Sequence, residues 1–97
     1  MAMFLVESYV SRTTPAVAER AAERARRAAE ELTSEGTSVI LRHSIFVPED
    51  EMLLLLYEAD SAEEAGLASG RANLAYERIT PAIAGRSGPR PGRTDLK

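Results

Sequence analysis

The chain has 97 residues, 12 basic against 15 acidic, a formal net charge of −3 and no cysteine. That length allows one small domain with a thin core, to which a second copy would add stability. The absence of cysteine excludes disulfides, thiolate metal sites, iron–sulfur clusters and a cysteine nucleophile, and the slightly acidic balance argues against general nucleic-acid binding.

Hydrophobic residues make up 44% and charged residues 28%, as in ordinary globular proteins, and a reducing cytoplasmic setting is expected. No apolar stretch is long enough for a membrane helix; the run Leu53 to Leu56 is far too short. The opening MAMFLVESYV has no basic region ahead of its apolar part and reads as a strand, not a secretory leader.

Met3 to Val10 is rich in β-branched and aromatic residues and predicts the first strand. Phe4, Val6, Ser8 and Val10 fall on one face; Met3, Leu5, Glu7 and Tyr9 fall on the other. Thr14 followed by Pro15 predicts a helix cap and first helical position. Val17, Ala18, Ala21, Ala25, Ala28 and Leu32 then recur at helical spacing, and Gly36 ends the helix. Val39 to Val47 predicts the second strand, Pro48-Glu49-Asp50 a turn, and Glu51 to Glu58 a third strand. The run MLLLLY is apolar on both faces, which places the third strand centrally. Ser61-Ala-Glu-Glu64 is a capping box for a second helix reaching about Ala72, and Asn73 suits a left-handed exit. Gly66 and Gly70, four apart, predict a close approach of that helix to the first helix or the sheet. Tyr76 to Ile83 predicts the fourth strand.

The order β-α-β-β-α-β predicts an α+β ferredoxin-like domain over residues 1–83: a four-stranded antiparallel sheet with both helices on one face. Residues 84–97, rich in Gly, Pro and Arg, read as a disordered tail. The sheet's other face is left open, and a homodimer formed through it is the expected cover.

Pairing Val47 with Met52 across the turn predicts Ser44 opposite Leu55, His43 opposite Leu56 and Arg42 opposite Tyr57. Leu41, His43, Ile45, Leu54 and Leu56 form the more uniformly apolar set and are assigned to the helices. Ile40, Arg42, Ser44, Phe46, Leu53, Leu55 and Tyr57 go to the open face, joined by Glu7 and Tyr9 because a glutamate under the helices would be a costly buried charge. The candidate ligand-binding residues are therefore Glu7, Tyr9, Arg42, Ser44 and Tyr57 around an apolar floor, the usual make-up of a small-molecule pocket. An ion pair of Glu7 with Arg42 at a dimer contact is the structural alternative. His43, the chain's one histidine, reads first as a packing residue on an edge strand and second as a weak metal ligand.

No catalytic constellation, Gly-rich phosphate loop or HExxH is present. Proton transfer by Glu7 with Tyr9 or Arg42 on a bound carbonyl compound is the one enzymatic idea the face map offers.

FLVESYV, HSIFVPEDE, LLLYEADSAEEA and RANLAYERI, spread between Phe4 and Ile79, resemble a family of small bacterial proteins of unknown function that includes nickel-binding-protein-like members. The resemblance covers about Phe4 to Ile83 and implies a ferredoxin-like fold, dimers and, for some members, nickel. It also implies histidines late in the first strand and a cysteine in the third in metal-binding members. Ser8 and Tyr9 stand at the first place here and Leu55 at the second, leaving His43 as the one soft donor for nickel or another divalent metal. The motifs themselves call for no cofactor.

Three readings follow. The first is a small ligand-binding or accessory protein, working as a homodimer without nucleic-acid or membrane partners. The second is a cofactor-independent isomerase, cyclase or monooxygenase with a pocket above the sheet, an analogy at the level of fold. The third is a structural interaction module.

Overall fold

The computed structural model describes residues 2–10 and 15–83. Six regular elements follow in order: β1 (Ala2–Tyr9), α1 (Pro15–Ser34), β2 (Val39–Val47), β3 (Met52–Ala59), α2 (Ala62–Arg71) and β4 (Tyr76–Ala82). All pairings are antiparallel and the sheet order is β2-β3-β1-β4, a ferredoxin-like α+β arrangement with β3 and β1 in the centre. The expected Thr14 cap and the expected 84–97 tail lie outside the described residues.

α1 packs chiefly on β2, and α2 packs on β1, β3 and β4. α1 presents a stripe of alanines, Ala18, Ala21, Ala25, Ala28 and Ala29, with Leu32 at its end. Small side chains let the helix axis come near the sheet, so a thin chain still makes a continuous core with Phe4, Val6, Leu53, Leu55, Tyr57 and Ala59. The outer face of α1 carries Arg26 paired with Glu23 and Glu30, pairs that add little in water. At its end the Thr33 hydroxyl donates to the Val39 carbonyl at 2.8 Å and accepts from the Val39 N–H at 3.1 Å, tying helix exit to strand entry.

The capping box forms as predicted. Ser61 Oγ accepts from the Glu64 N–H at 3.4 Å, while Glu64 reaches back to the Asp60 N–H at 3.1 Å. Asn73 takes the left-handed exit at φ 62°. Of the two glycines, Gly66 makes the close approach, and its partner is β4. A Cβ there would stand 2.8 Å from the Tyr76 hydroxyl and 3.3 Å from Ile79 Cδ1, whereas one on Gly70 would meet nothing within 4 Å.

The face assignment of the sequence reading is reversed on β3 and on β2 from His43 onward, whereas Ile40 outward and Leu41 on the helix side are as predicted. Leu53, Leu55, Tyr57 and Ala59 are buried beneath the helices, with Ser44 and Phe46 on their side of the sheet; Met52, Leu54, Leu56 and Glu58 look outward. Two features decide this. The register of β1 against β3 pairs Glu7 with Leu54 and Leu5 with Leu56, so an outward Glu7 carries the even-numbered leucines with it. β2 also contains a bulge: Leu41 pairs with Tyr57 and His43 with Leu56, and Arg42 is the extra residue. His43 therefore lies outward with Leu56, exposed, and not among the packing residues. Ser44 opposite Leu55 and His43 opposite Leu56 are as predicted; Arg42 opposite Tyr57 is not.

Tyr57 is accommodated inside because α2 supplies a partner. Its hydroxyl shares a 3.1 Å hydrogen bond with the buried Ser69 hydroxyl. Burial pushes the phenol above its ordinary pKa, and the Ser69 bond draws it part of the way back.

Candidate functional site

Both helices lie on one side of the sheet, so the outward side chains of four strands form one uncovered surface. Its layout follows from the register. One row runs Arg78, Glu7, Leu54, Ile45 from β4 to β2; the next runs Thr80, Leu5, Leu56, His43; the next runs Ala82, Met3, Glu58, Ile40. Tyr9, Met52 and Val47 close the far end. The centre is apolar, made by Leu5, Leu54 and Leu56, and Ile45 stands 58% exposed at the β2 edge.

Two charged pairs stand on opposite sides of this floor. Arg42 Nη2 lies 2.6 Å from Glu58 Oε1, and Arg42 Nε donates to the same oxygen at 2.7 Å. The bulge makes this pairing possible, because it turns the extra residue of β2 toward Glu58. On the other side Arg78 Nε lies 3.5 Å from Glu7 Oε2 and donates to Thr80 Oγ1 at 3.1 Å. The Tyr9 hydroxyl donates to Glu51 Oε1 at 2.8 Å, fastening the end of β1 to the turn before β3. Glu51 itself sits in the left-handed region at φ 50°.

The sequence-derived candidates are thus divided. Glu7 and Tyr9 are on the open face, and Arg42 reaches its β2 edge through Glu58. Tyr57 and Ser44 are on the helix side. Glu7 and Arg42 do not pair with each other; each has a different partner, and β3 lies between their strands. The residues missed were those partners, Glu58 and Arg78. Placing Glu58 on the surface of Glu7 needs the register of β1 against β3, which pairs Glu7 with Leu54, as well as strand alternation.

Arg42, His43 and Ser44 do come together along the outer edge of β2. They line a shallow groove of about 350 Å³ with Glu19, Glu23 and Arg26 of α1. His43 is the only imidazole, and no group of three histidine, cysteine, aspartate or glutamate side chains among the described residues could hold a metal ion. Leu55, at the place where the resemblance implies a cysteine, is buried under the helices, and Ser8 is buried with it. The donor set does not fit nickel or another divalent ion, which needs several convergent ligands. Among the described residues no helix is long and apolar enough to cross a membrane.

The chain is an α+β protein of the ferredoxin-like class, with one sheet face packed and one free. No protein-family model matches it, and no curated protein matches it. Among solved structures it is similar to SCO4226 from Streptomyces coelicolor A3(2), with a TM-score of 0.68 over 88% of this chain and 100% of that one. The two share 17% sequence identity, a likeness that concerns the fold alone.

Proposed function

We propose that this chain is a small ligand-binding or accessory protein whose working surface is the open face of the sheet. Two copies bring these faces together around an apolar or amphipathic organic molecule. The observation that carries the reading is the distribution of polarity on that face. Leu5, Leu54 and Leu56 make a continuous floor, with arginine–carboxylate pairs at its sides. An apolar floor with a few fixed polar groups is the pattern of small-molecule sites. Nickel, which the family resemblance would suggest, finds no donor set among the described residues, so the reading takes an organic ligand.

The test uses 1-anilinonaphthalene-8-sulfonate as probe, together with native mass spectrometry of protein purified without chelators or affinity metal. Wild type is expected to enhance the probe's fluorescence, and Leu56→Lys to lose most of that enhancement at unchanged far-UV circular dichroism. Equal emission from both proteins would refute the open-face reading. A retained metal-sized mass that disappears in His43→Ala would replace the organic ligand by a metal.

A further inference from the structure

The helix side of the sheet carries a concavity of its own, away from the open face. A groove of about 990 Å³ runs along α2 beside β4, walled by Leu67 and Gly70 of the helix and by Tyr76 and Ile79 of the strand. Leu67 is 55% exposed in it and Tyr76 43%. Tyr76 and Ile79 meet over Gly66, while the space beside Gly70 is empty. One end of the groove is acidic. Glu63 and Glu64 line it in the first turn of α2, and Asp60 stands just before them. None of the three has an ion-pair partner among the described residues.

The strand register delivers the chain to that acidic end. Ala2 pairs with Ala59 of β3 and its neighbour Met3 with Ala82 of β4, so β3 and β4 finish together with only β1 between them. α2 begins at Ala62, just past the end of β3, and runs back against the direction of β4. Ile83, 98% exposed, therefore leads out beside Asp60, Glu63 and Glu64.

The sequence that follows is AGRSGPRPGRTDLK, residues 84–97, in which Arg86, Arg90, Arg93 and Lys97 are set against Asp95 alone. It matches the groove in three ways. Its charge is opposite to that of the acidic end, which favours encounter. Its Pro-Arg-Pro at 89–91 is the kind of segment that aromatic-lined grooves take up, because the fixed φ of proline lowers the entropy lost on docking. Its spacing also agrees. Gly85 lies six residues past Ile79 and six before Pro91. At about 3.1–3.3 Å per residue, a chain reversing at that glycine returns Pro91 to the level of Ile79 and the Tyr76 ring, and leaves Arg86 at the acidic end. Individually weak contacts suffice here, because a short tether holds the segment at an effective concentration on the order of millimolar.

We propose that residues 84–97 occupy the α2–β4 groove of their own chain, with Arg86 and Arg90 against Glu63 and Glu64 and the two prolines on Tyr76. The groove is on the helix side, so the proposal stands or falls apart from the open-face reading.

The test is paramagnetic relaxation measured by NMR on the full chain. The chain has no cysteine, so Ser87→Cys gives one attachment point for a nitroxide label. The amide signals of Gly66, Leu67 and Gly70 are expected to lose most of their intensity, and those of β2, at the far edge of the sheet, to keep theirs. Glu63→Lys, with folding verified by circular dichroism, is expected to restore the α2 signals, and adding Arg86→Glu to it to suppress them again by exchanging the charges. Pro89→Gly with Pro91→Gly, which leaves the folded domain untouched, is expected to weaken the loss. Full-intensity α2 signals in the labelled chain, or a loss that neither Glu63→Lys nor the proline changes alter, would overturn the proposal. So would a loss that appears equally when unlabelled isotopic chains are mixed with spin-labelled ones, since the segment would then be binding a second copy. Leu56→Lys, which acts on the open face, is expected to leave the pattern unchanged; a pattern that disappears with it would place the segment on that face and overturn the groove.

Discussion

Two hydroxyls beneath the helices stand in opposite circumstances. That of Tyr57 is bonded to Ser69, while that of Ser8, also fully buried, has no hydrogen-bond partner among the described residues. An orphaned buried hydroxyl carries a desolvation penalty of about 1–3 kcal/mol. Ser8→Ala deletes the penalty and little volume, so it is expected to raise stability by about 1 kcal/mol, measured by urea denaturation. A loss of similar size would mean that Ser8 has a partner in the folded protein that this structure does not contain. At this scale the sequence was readable for backbone chemistry, such as Asn73 at its left-handed exit and Ser61 at its cap, because each depends on one residue's own geometry. Tyr57 is misplaced by parity, which groups it with Leu53, Leu55 and the polar Arg42 and Ser44, and nothing local in the sequence points to the serine that receives its hydroxyl inside. That partner is twelve residues away on another element.

The elements show why the order of strands was legible and their faces were not. Alternation, caps and turns gave six elements within a residue or two of their observed limits. β3 is apolar on both sides, so its pattern contains no instruction about which side is inward, and a single extra residue in β2 cancelled the parity argument drawn from its neighbour. The glycines of α2 repeat the lesson. Four apart on one helix, they look equivalent, but only Gly66 touches β4. Gly70→Ala is expected to stabilise the protein by about 0.5–1 kcal/mol, the usual gain from removing a helical glycine. Gly66→Ala is expected to fall measurably short of this, because the Tyr76 hydroxyl must move aside. Tyr76→Phe, by removing that oxygen, should recover the difference in the double variant. Thermal melts of the four proteins decide the matter; equal gains from both glycines would contradict the packing described.

In the whole molecule the two helices are clasped where α1 ends and α2 ends. Arg71 donates to both carboxylate oxygens of Glu35, at 2.8 and 3.0 Å, and lies 3.6 Å from Glu31, while Arg24 Nε donates to the Ala72 carbonyl at 3.1 Å. The bonds from Arg71 hold the Glu35 carboxyl below the ordinary carboxylate range. A depressed folded-state pKa stabilises above the unfolded value and ceases to do so as pH falls through the folded one. The clasp therefore contributes at neutral pH and is lost on acidification. Glu35→Gln is expected to lower the melting temperature slightly at pH 7 and to flatten its fall toward low pH. The clasp is exposed, so the effect is small and decreases with salt. A variant whose melting curve runs parallel to wild type through the acid range would remove Glu35 from this account. The site at this scale was half legible. Glu7 and Tyr9 were found because a charge must face outward, whereas Glu58 and Arg78 emerge only when all three registers are laid side by side.

The bulge at Arg42 also bears on how many copies can gather. Without its extra residue β2 would alternate without interruption from Val39 to Val47, leaving a long, straight border at the end of the sheet, open to any strand of matching length. Such a border has no natural limit: each new arrival offers another, and the product is a fibre. The kink and the charged arginine at its centre deny that route. Were two copies to meet through the open face, as proposed, one encounter would cover the apolar surface of both and leave nothing to recruit a third. A single residue thus guards the β2 border against an endless stack.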